Sequence, residues 1–239
     1  DNGHECQRNY ECYSYPVITD KRWRINKMIV DERMLTYVRS LCNEPSDRLL
    51  ELERQALEDN VPVIRKEMQD LLRFLLTLKK PVKILEVGTA IGFSALLMSE
   101  YCPEAKITTI EKYEKRIPVA KENFNKFDKG RKITLLEGDA LEIMEDLDEC
   151  YDFIFMDAAK GQYINFLPHV MRLLAKNGLL VSDNVLQDGE IVESRFAVTR
   201  RNRTIHSRMR EYLYELNHME DIVTTVLPVA DGVTLSVKK

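Results

Sequence analysis

The sequence predicts one doubly wound α/β domain behind a helical leader, and three observations carry that prediction. After Pro81 short apolar runs alternate with amphipathic stretches of helical period. Four of the five runs are almost continuously apolar, as strands buried on both faces of a parallel sheet should be. The chain then closes on two β-rich runs around Asp231-Gly232, which read as an antiparallel hairpin.

The first 27 residues mix Cys, Tyr, Asn and Arg without helical or strand period, and are expected to form a peripheral N-terminal extension. From Met28 the pattern changes to one that suits a natural chain start, so residues 28–239 are assigned to the domain proper. Asp31 is the expected N-cap of a first helix reaching about Leu41. Pro45-Ser46 opens a second, with Leu49, Leu50, Leu52, Ala56 and Leu57 as its apolar face, and residues 64–79 return to helical period after Pro62. Strands are expected at 82–87, 106–111, 132–136, 151–157 and 178–183, and helices near 92–100, 114–126, 140–147 and 163–175. A long helix near 199–218 precedes the closing hairpin.

Composition narrows the function classes. Hydrophobic residues make up 44% and charged residues 31% of the 239, ordinary for a water-soluble domain. No apolar run approaches the roughly 18 residues needed to span a bilayer, so no membrane partner is expected. The opening residues lack the basic and apolar regions of a signal peptide. Cys6, Cys12, Cys42, Cys102 and Cys150 are scattered without a CxxC, which suits reduced thiols in a cytoplasmic protein. A net charge of −4 leaves nucleic-acid binding to a local patch.

The stretch from Lys83 to Ser94 is the most informative. An apolar run carries Glu86 near its end, and Gly88 and Gly92 follow, four apart, before a helix begins. A strand, tight turn and helix N-terminus in that order form a nucleotide-binding arrangement. The dinucleotide fingerprint is absent, because Thr89-Ala90 stands where its second glycine would fall. A carboxylate beside the turn repels a pyrophosphate but suits an ammonium or a sulfonium, which points to S-adenosylmethionine.

Ligands of such sheets sit beyond the carboxyl ends of the strands. Glu111 ends the second strand, placed for ribose hydroxyls, and Asp139-Ala140 follows the third, within reach of an adenine amino group. Asp139 also suits a helix cap and Glu111 a solvated edge, but acids at three successive strand ends make coincidence the weaker reading. Asp157 ends the fourth strand, and Asp183-Asn184 end the fifth. Carboxylate and amide oxygens without His or Cys favour Mg²⁺ or Ca²⁺ over zinc. Capping of helices and turns is the structural alternative for these three.

The motifs Leu-Glu86-Val-Gly88-Thr-x-x-Gly92-Phe-Ser94, Met-Asp157-Ala-x-Lys160 and Ser-Asp183-Asn184 together resemble the metal-dependent O-methyltransferases of the catechol and caffeoyl-CoA type, over residues 28–239. The resemblance implies the Rossmann-like class I methyltransferase fold, with helices on both faces of the sheet. It implies that Asp157, Asp183 and Asn184 hold Mg²⁺. It implies that Val63, Glu86, Gly88, Gly92, Ser94, Glu111, Asp139, Ala140 and Asp157 line the S-adenosylmethionine site. Lys160 matches the lysine beside the reacting hydroxyl, so Asp157 and Lys160 are the expected catalytic residues. Two departures stand out: Ala90 replaces a glycine common in methyltransferases, and no residue was matched to the third substrate-binding carboxylate of the catechol enzymes.

The acceptor is read from the stretch Arg195 to Arg210, which holds six arginines and no acid. One reading is a solvated helix with salt bridges to a neighbour or dimer mate. The other is a phosphate-binding patch in which Arg200, Arg201, Arg203 and Arg208 contact tRNA, with Tyr163 or Phe196 stacking on a flipped-out base. The Arg-rich helix and Asp183-Asn184-Val-Leu resemble a bacterial branch that includes tRNA 5-hydroxyuridine methyltransferases, which act on the wobble base. The alternatives are methylation of a small catechol-like phenol or a caffeoyl-CoA-type ester, and a non-catalytic adenosyl-ligand or RNA-binding module. Surplus apolar surface on the helices before Pro81 suggests a homodimer.

Overall fold

The computed structural model describes residues 30–239; the expectation for residues 1–27 lies outside them. Three leader helices, α1 (Glu32–Leu41), α2 (Asp47–Glu58) and α3 (Lys66–Lys79), precede the alternating part. That part runs β1 (Lys83–Val87), α4 (Phe93–Tyr101), β2 (Lys106–Glu111), α5 (Ile117–Phe127), β3 (Ile133–Glu137), α6 (Ala140–Asp146) and β4 (Tyr151–Met156). It continues through α7 (Tyr163–Leu173), β5 (Leu174–Ser182), α8 (Arg203–His218), β6 (Ile222–Leu227) and β7 (Val233–Lys238).

The seven strands form one sheet in the order β3-β2-β1-β4-β5-β7-β6. β3 to β5 are mutually parallel, and β7 lies antiparallel between β5 and β6. The strand order reverses between β2-β1 and β4, so the crevice at the carboxyl ends of β1 and β4 is the topological switch point where such sheets bind ligands.

Strand alternation divides the core into two layers. Ile84, Ile107, Phe153, Phe155 and Val181 pack on one face against Leu52, Leu72, Leu76, Leu96 and Phe124 of α2 to α5. Leu85, Ile110, Ile154, Met156 and Leu180 pack on the other against Met144, Phe166, Val170, Met209 and Leu216 of α6 to α8. Glu86 therefore falls, by the period of 2, on the same face as Ile84, beneath α4.

The expected elements all form, with instructive differences. Asp31 caps α1, its side chain accepting from the backbone N–H groups of Arg33 and Met34. Ser46 precedes α2 but does not cap it, because its hydroxyl donates to Glu100 at 2.6 Å. In α2 only Leu49, Leu52 and Ala56 are buried, while Leu50 and Leu57 face outward, so its apolar stripe is narrower than expected. β5 begins four residues early, at Leu174, where Tyr151 extends the pairing across a register shift. The long helix begins only at Arg203, leaving Arg200 and Arg201 in the preceding turn.

Candidate active site

Two connected clefts open at the switch point. The first, about 360 Å³, is lined by Glu111, Tyr113, Gly138, Asp139, Ala140, Gln162 and Phe166. The second, about 400 Å³, is lined by Val63, Arg65, Ser94, Lys160, Asp183, Asn184, Asp188 and Asp231. Gly88, Ala90, Arg116 and Asp157 border both, so the two form one groove running from the β2–β3 edge to the β5 end.

Gly88 makes the crossing point. It takes φ +106°, and a Cβ there would stand 2.2 Å from the carbonyl oxygen of Asp157. Only glycine permits both that backbone and that approach. Gly92, at φ +88°, enters α4 as a left-handed N-cap, and a Cβ there would stand 2.5 Å from Phe124 Cε1. Ala90 also has positive φ, 49°, a backbone that glycine adopts more readily than alanine.

Glu86 is fully buried at this turn. Thr109 donates its hydroxyl to Oε2, while Oε1 is buried without a hydrogen-bond partner. Burial pushes the carboxyl up from its usual 4.5 to about 7, and the nearby Ser94 and Thr109 hydroxyls only partly oppose that. A buried acceptor left open beside a glycine turn fits a cationic group such as the ammonium of a methionine. Glu111 receives Ala90 N–H on Oε2 and Tyr113 N–H on Oε1, both at 2.7 Å, which locks its carboxylate at the cleft wall. Each oxygen retains a lone pair for a ribose hydroxyl. Asp139 does cap α6, accepting from Leu141 N–H at 2.9 Å, and it pairs with Lys112 at 3.1 Å. The capping reading and the lining reading thus hold together.

Asp157, Asp183 and Asn184 meet at the far side of Gly88. Asp183 is pushed up to about 7 by burial and by the charge of Asp157, while burial raises Asp157 and Lys160 and Arg116 oppose the rise. Asn184 takes left-handed φ, 57°, which asparagine tolerates better than most side chains. Asp183 Oδ1 accepts Asn184 N–H at 2.7 Å, leaving its other oxygen for the cavity. Among the described residues no three or more His, Cys, Asp and Glu side chains cluster for a metal. The donor set is instead a buried carboxylate, Asp183, a half-buried one, Asp157, and one amide. A buried carboxylate raised by its neighbour's charge, with Lys160 and Arg116 offering only partial compensation at Asp157, fits a hard divalent cation between the two.

Asp231 was missed by sequence reasoning. It is buried, and its Oδ2 lies 3.9 Å from Lys160 Nζ. Asp188 donates its backbone N–H to Asp231 Oδ1, and Arg65 pairs with the Asp188 carboxylate at 3.0 Å. Asp231 lines the cavity beside Asp157, Asp183 and Asp188. An Asp-Gly turn signals a hairpin in sequence but not that β7 inserts beside β5, which is what carries the turn here.

The aromatic and basic candidates divide. Tyr163 is fully buried and donates its hydroxyl to the carbonyls of Met156 and Asp183, so it cannot stack on a base and instead braces the ends of β4 and β5. Phe196 is 84% exposed. Arg200 and Arg201 are exposed, whereas Arg203 and Arg208 are half-buried and donate to the carbonyls of Val198 and Gly161.

Glu86 generates a pH prediction. Its pKa is raised on folding, so the unfolded chain ionises first, and this group's cost to stability grows as pH rises from 4.5 to about 7. Above pH 7 the cost is on the order of 3 kcal/mol. Urea unfolding of the unliganded protein at pH 5.5 and pH 8 should show Glu86→Gln gaining stability relative to wild type at the higher pH. Parallel pH slopes in the two proteins would show that Glu86 carries no such cost.

Comparison with known proteins follows the same lines. The family model described as "O-methyltransferase" matches residues 41–239. Caffeoyl-CoA O-methyltransferase 2 of Populus trichocarpa is 31% identical over 191 residues, covering 74% of each chain. Catechol O-methyltransferase of Niastella koreensis is 29% identical, over 66% of this chain and 74% of its own. The SAH-bound methyltransferase PaMTH1 of Podospora anserina superposes with a TM-score of 0.78 at 27% identity, covering 87% of this chain and 94% of its own. The glycine turn, the carboxylates at the strand ends and these likenesses agree: this chain belongs to the O-methyltransferase family and is an S-adenosylmethionine-dependent methyltransferase.

Proposed function

We propose that this enzyme methylates the 5-hydroxyl of 5-hydroxyuridine at the wobble position of tRNA, giving 5-methoxyuridine, with Mg²⁺ or another divalent cation. The observation that supports this acceptor is the exposed Phe196 beside exposed Arg195, Arg200 and Arg201, on the segment that leads from the acceptor cleft into α8. A stacking ring among guanidinium groups, in a chain of net charge −4, suits a base and its phosphates.

The residues divide the work along the groove. Glu86 receives the cofactor's ammonium, Glu111 the ribose hydroxyls, and Asp139-Ala140 border the adenine. Asp157, Asp183 and Asn184 would hold the cation, whose positive charge would lower the pKa of the acceptor hydroxyl. Lys160, as its neutral amine, takes the hydroxyl proton, and Asp231 at 3.9 Å holds the ammonium so formed. Val63 and Ile64 wall the methionine end and limit water. Holding donor and acceptor in line across Gly88 supplies the orientation that methyl transfer requires.

A small catechol-like phenol or a caffeoyl-CoA-type ester is an equally supported acceptor. It is favoured by the relatives' names and by Asp231, which supplies a third carboxylate for a dihydroxyphenyl ring. A non-catalytic adenosyl-ligand or RNA-binding module would not need Asp157, Lys160, Asp183 and Asn184 in one cavity. We further propose a homodimer through α1, whose Met34, Tyr37, Val38 and Leu41 form an exposed apolar face. No described helix is long and apolar enough to cross a membrane, and a cytoplasmic location suits the free Cys42, Cys102 and Cys150.

Three outcomes are expected. Asp157→Ala should lower turnover by at least 100-fold with a native melting profile, and EDTA should do the same to wild type; full turnover in excess EDTA would remove the cation from the mechanism. Mass spectrometry of tRNA nucleosides should show 5-methoxyuridine formed with wild type, and charge reversal at Arg200 and Arg201 should weaken tRNA binding at least tenfold while leaving cofactor affinity unchanged. Transfer to caffeoyl-CoA or catechol but never to tRNA would assign the second acceptor class. Sedimentation should give a dimer that Tyr37→Glu with Leu41→Glu converts to monomer; a wild-type monomer would overturn the α1 interface.

A further inference from the structure

The acceptor cavity is closed on one side by an ion pair that neither the cofactor nor the cation requires. Arg65, at the start of α3, and Asp188, after β5, are 123 residues apart and meet at 3.0 Å. Both line the cavity that holds Asp157, Asp183 and Lys160. Their side chains are 42% and 47% exposed, so the pair is wet and its net worth is small.

The Asp188 side of the pair sits on an uphill backbone. Gln187, Asp188 and Gly189 take φ of 53°, 49° and 84°, three left-handed residues in succession. Two of these carry side chains, which disfavour that backbone. The segment is held by the Asp188 N–H on Asp231 Oδ1 and by Leu186 N–H on Asp231 O at 3.0 Å. The other cations lining the cavity are differently engaged. Lys160 faces Asp231, and Arg116 lies over the Tyr113 ring at 5.6 Å on the cofactor side. Arg65 alone has its main partner on a half-exposed, strained segment.

We propose that Arg65 is a specificity residue for the acceptor: it exchanges Asp188 for an anionic group of the incoming molecule, a carboxylate or a phosphate, so that the Arg65–Asp188 pair works as an exchangeable clasp. A planar guanidinium binds either anion through two parallel N–H groups, which a lone surface aspartate does not outcompete. The clasp keeps Arg65 pointed at the cavity between turnovers. It also discriminates against neutral acceptors, which leave the pair closed. This inference rests on reading the cavity as the acceptor site.

Calorimetry on protein saturated with S-adenosylhomocysteine and Mg²⁺ tests it with two matched pairs of probes. The pairs are 3,4-dihydroxybenzoate against catechol, and 5-hydroxyuridine 5′-monophosphate against 5-hydroxyuridine. At least one anionic member should bind tenfold or more tightly than its neutral partner. A preference in the first pair assigns a carboxylate, and one in the second assigns a phosphate. Arg65→Gln should bring the ratio near one without changing S-adenosylhomocysteine affinity, and Asp188→Asn should raise the anion's affinity two- to fivefold. A ratio that survives Arg65→Gln, no preference in either pair, or no binding of any probe overturns the clasp. Asp157→Ala separates the two levels. Probe binding that ignores Asp157→Ala means the cavity is not the acceptor site, whereas binding that needs Asp157 but ignores Arg65 refutes the clasp alone.

Discussion

The donor and acceptor halves of this enzyme depend on one contact, the approach of Gly88 to the backbone of Asp157. A Cβ on Gly88 would lie 2.2 Å from the Asp157 carbonyl oxygen, so the turn after β1 and the end of β4 touch through a hydrogen atom. Backbone pairing maintains that proximity: Asp157 N–H donates to Val87 O at 3.0 Å, and Asp183 N–H to Met156 O at 3.0 Å. The ends of β1, β4 and β5 are thereby stepped in register: Asp157 and Asp183 line a common crevice, and Glu86 lies buried beneath its glycine turn. Any residue larger than glycine at position 88 would part the strand that carries the cofactor turn from the strand that carries Asp157.

The second consequence is electrostatic. Glu86 and Asp183 are almost wholly removed from water and Asp157 is half-buried, and burial raises all three. Lys160 and Arg116 offset part of that charge at Asp157, but Glu86 Oε1 has no partner. An apolar core would be more stable than such a cluster. The arrangement is preorganised for positive charge, which would meet groups already desolvated and already aimed. A cationic ligand bound only by the folded protein would add stability, and its affinity would be coupled to the ionisation of these carboxylates.

The rim of the site follows different rules. Phe196, Arg200 and Arg201 lie on an exposed segment without regular structure, between β5 and α8, where few contacts constrain them. Arg203 and Arg208 are tied to carbonyls of their own fold. Arg210 likewise donates to the carbonyl of Ile191, so the six arginines that look alike in sequence separate into three tied to the fold and three, Arg195, Arg200 and Arg201, that face outward. This outer layer is built from exposed side chains on turns, whereas the carboxylates of the groove are fixed by the strand ends.

Much of this was legible from residue order. Continuous apolar runs mark parallel strands because both faces are covered, and strand ends locate the ligand crevice because parallel sheets align their carboxyl termini. Glu86, Gly88, Asp157, Asp183 and Asn184 were therefore placed correctly on the elements that carry them. Periodicity could not tell that Tyr163 spends its hydroxyl on two carbonyls, since an aromatic at a helix start looks the same buried or exposed. Nor could it place Asp231 or pair Arg65 with Asp188. Asp231 reaches Lys160 only because β7 runs antiparallel beside β5 and carries the preceding turn to that strand's carboxyl end. Local sequence determines which residues end each strand; the packing of distant strands alone decides which of those ends share a cavity.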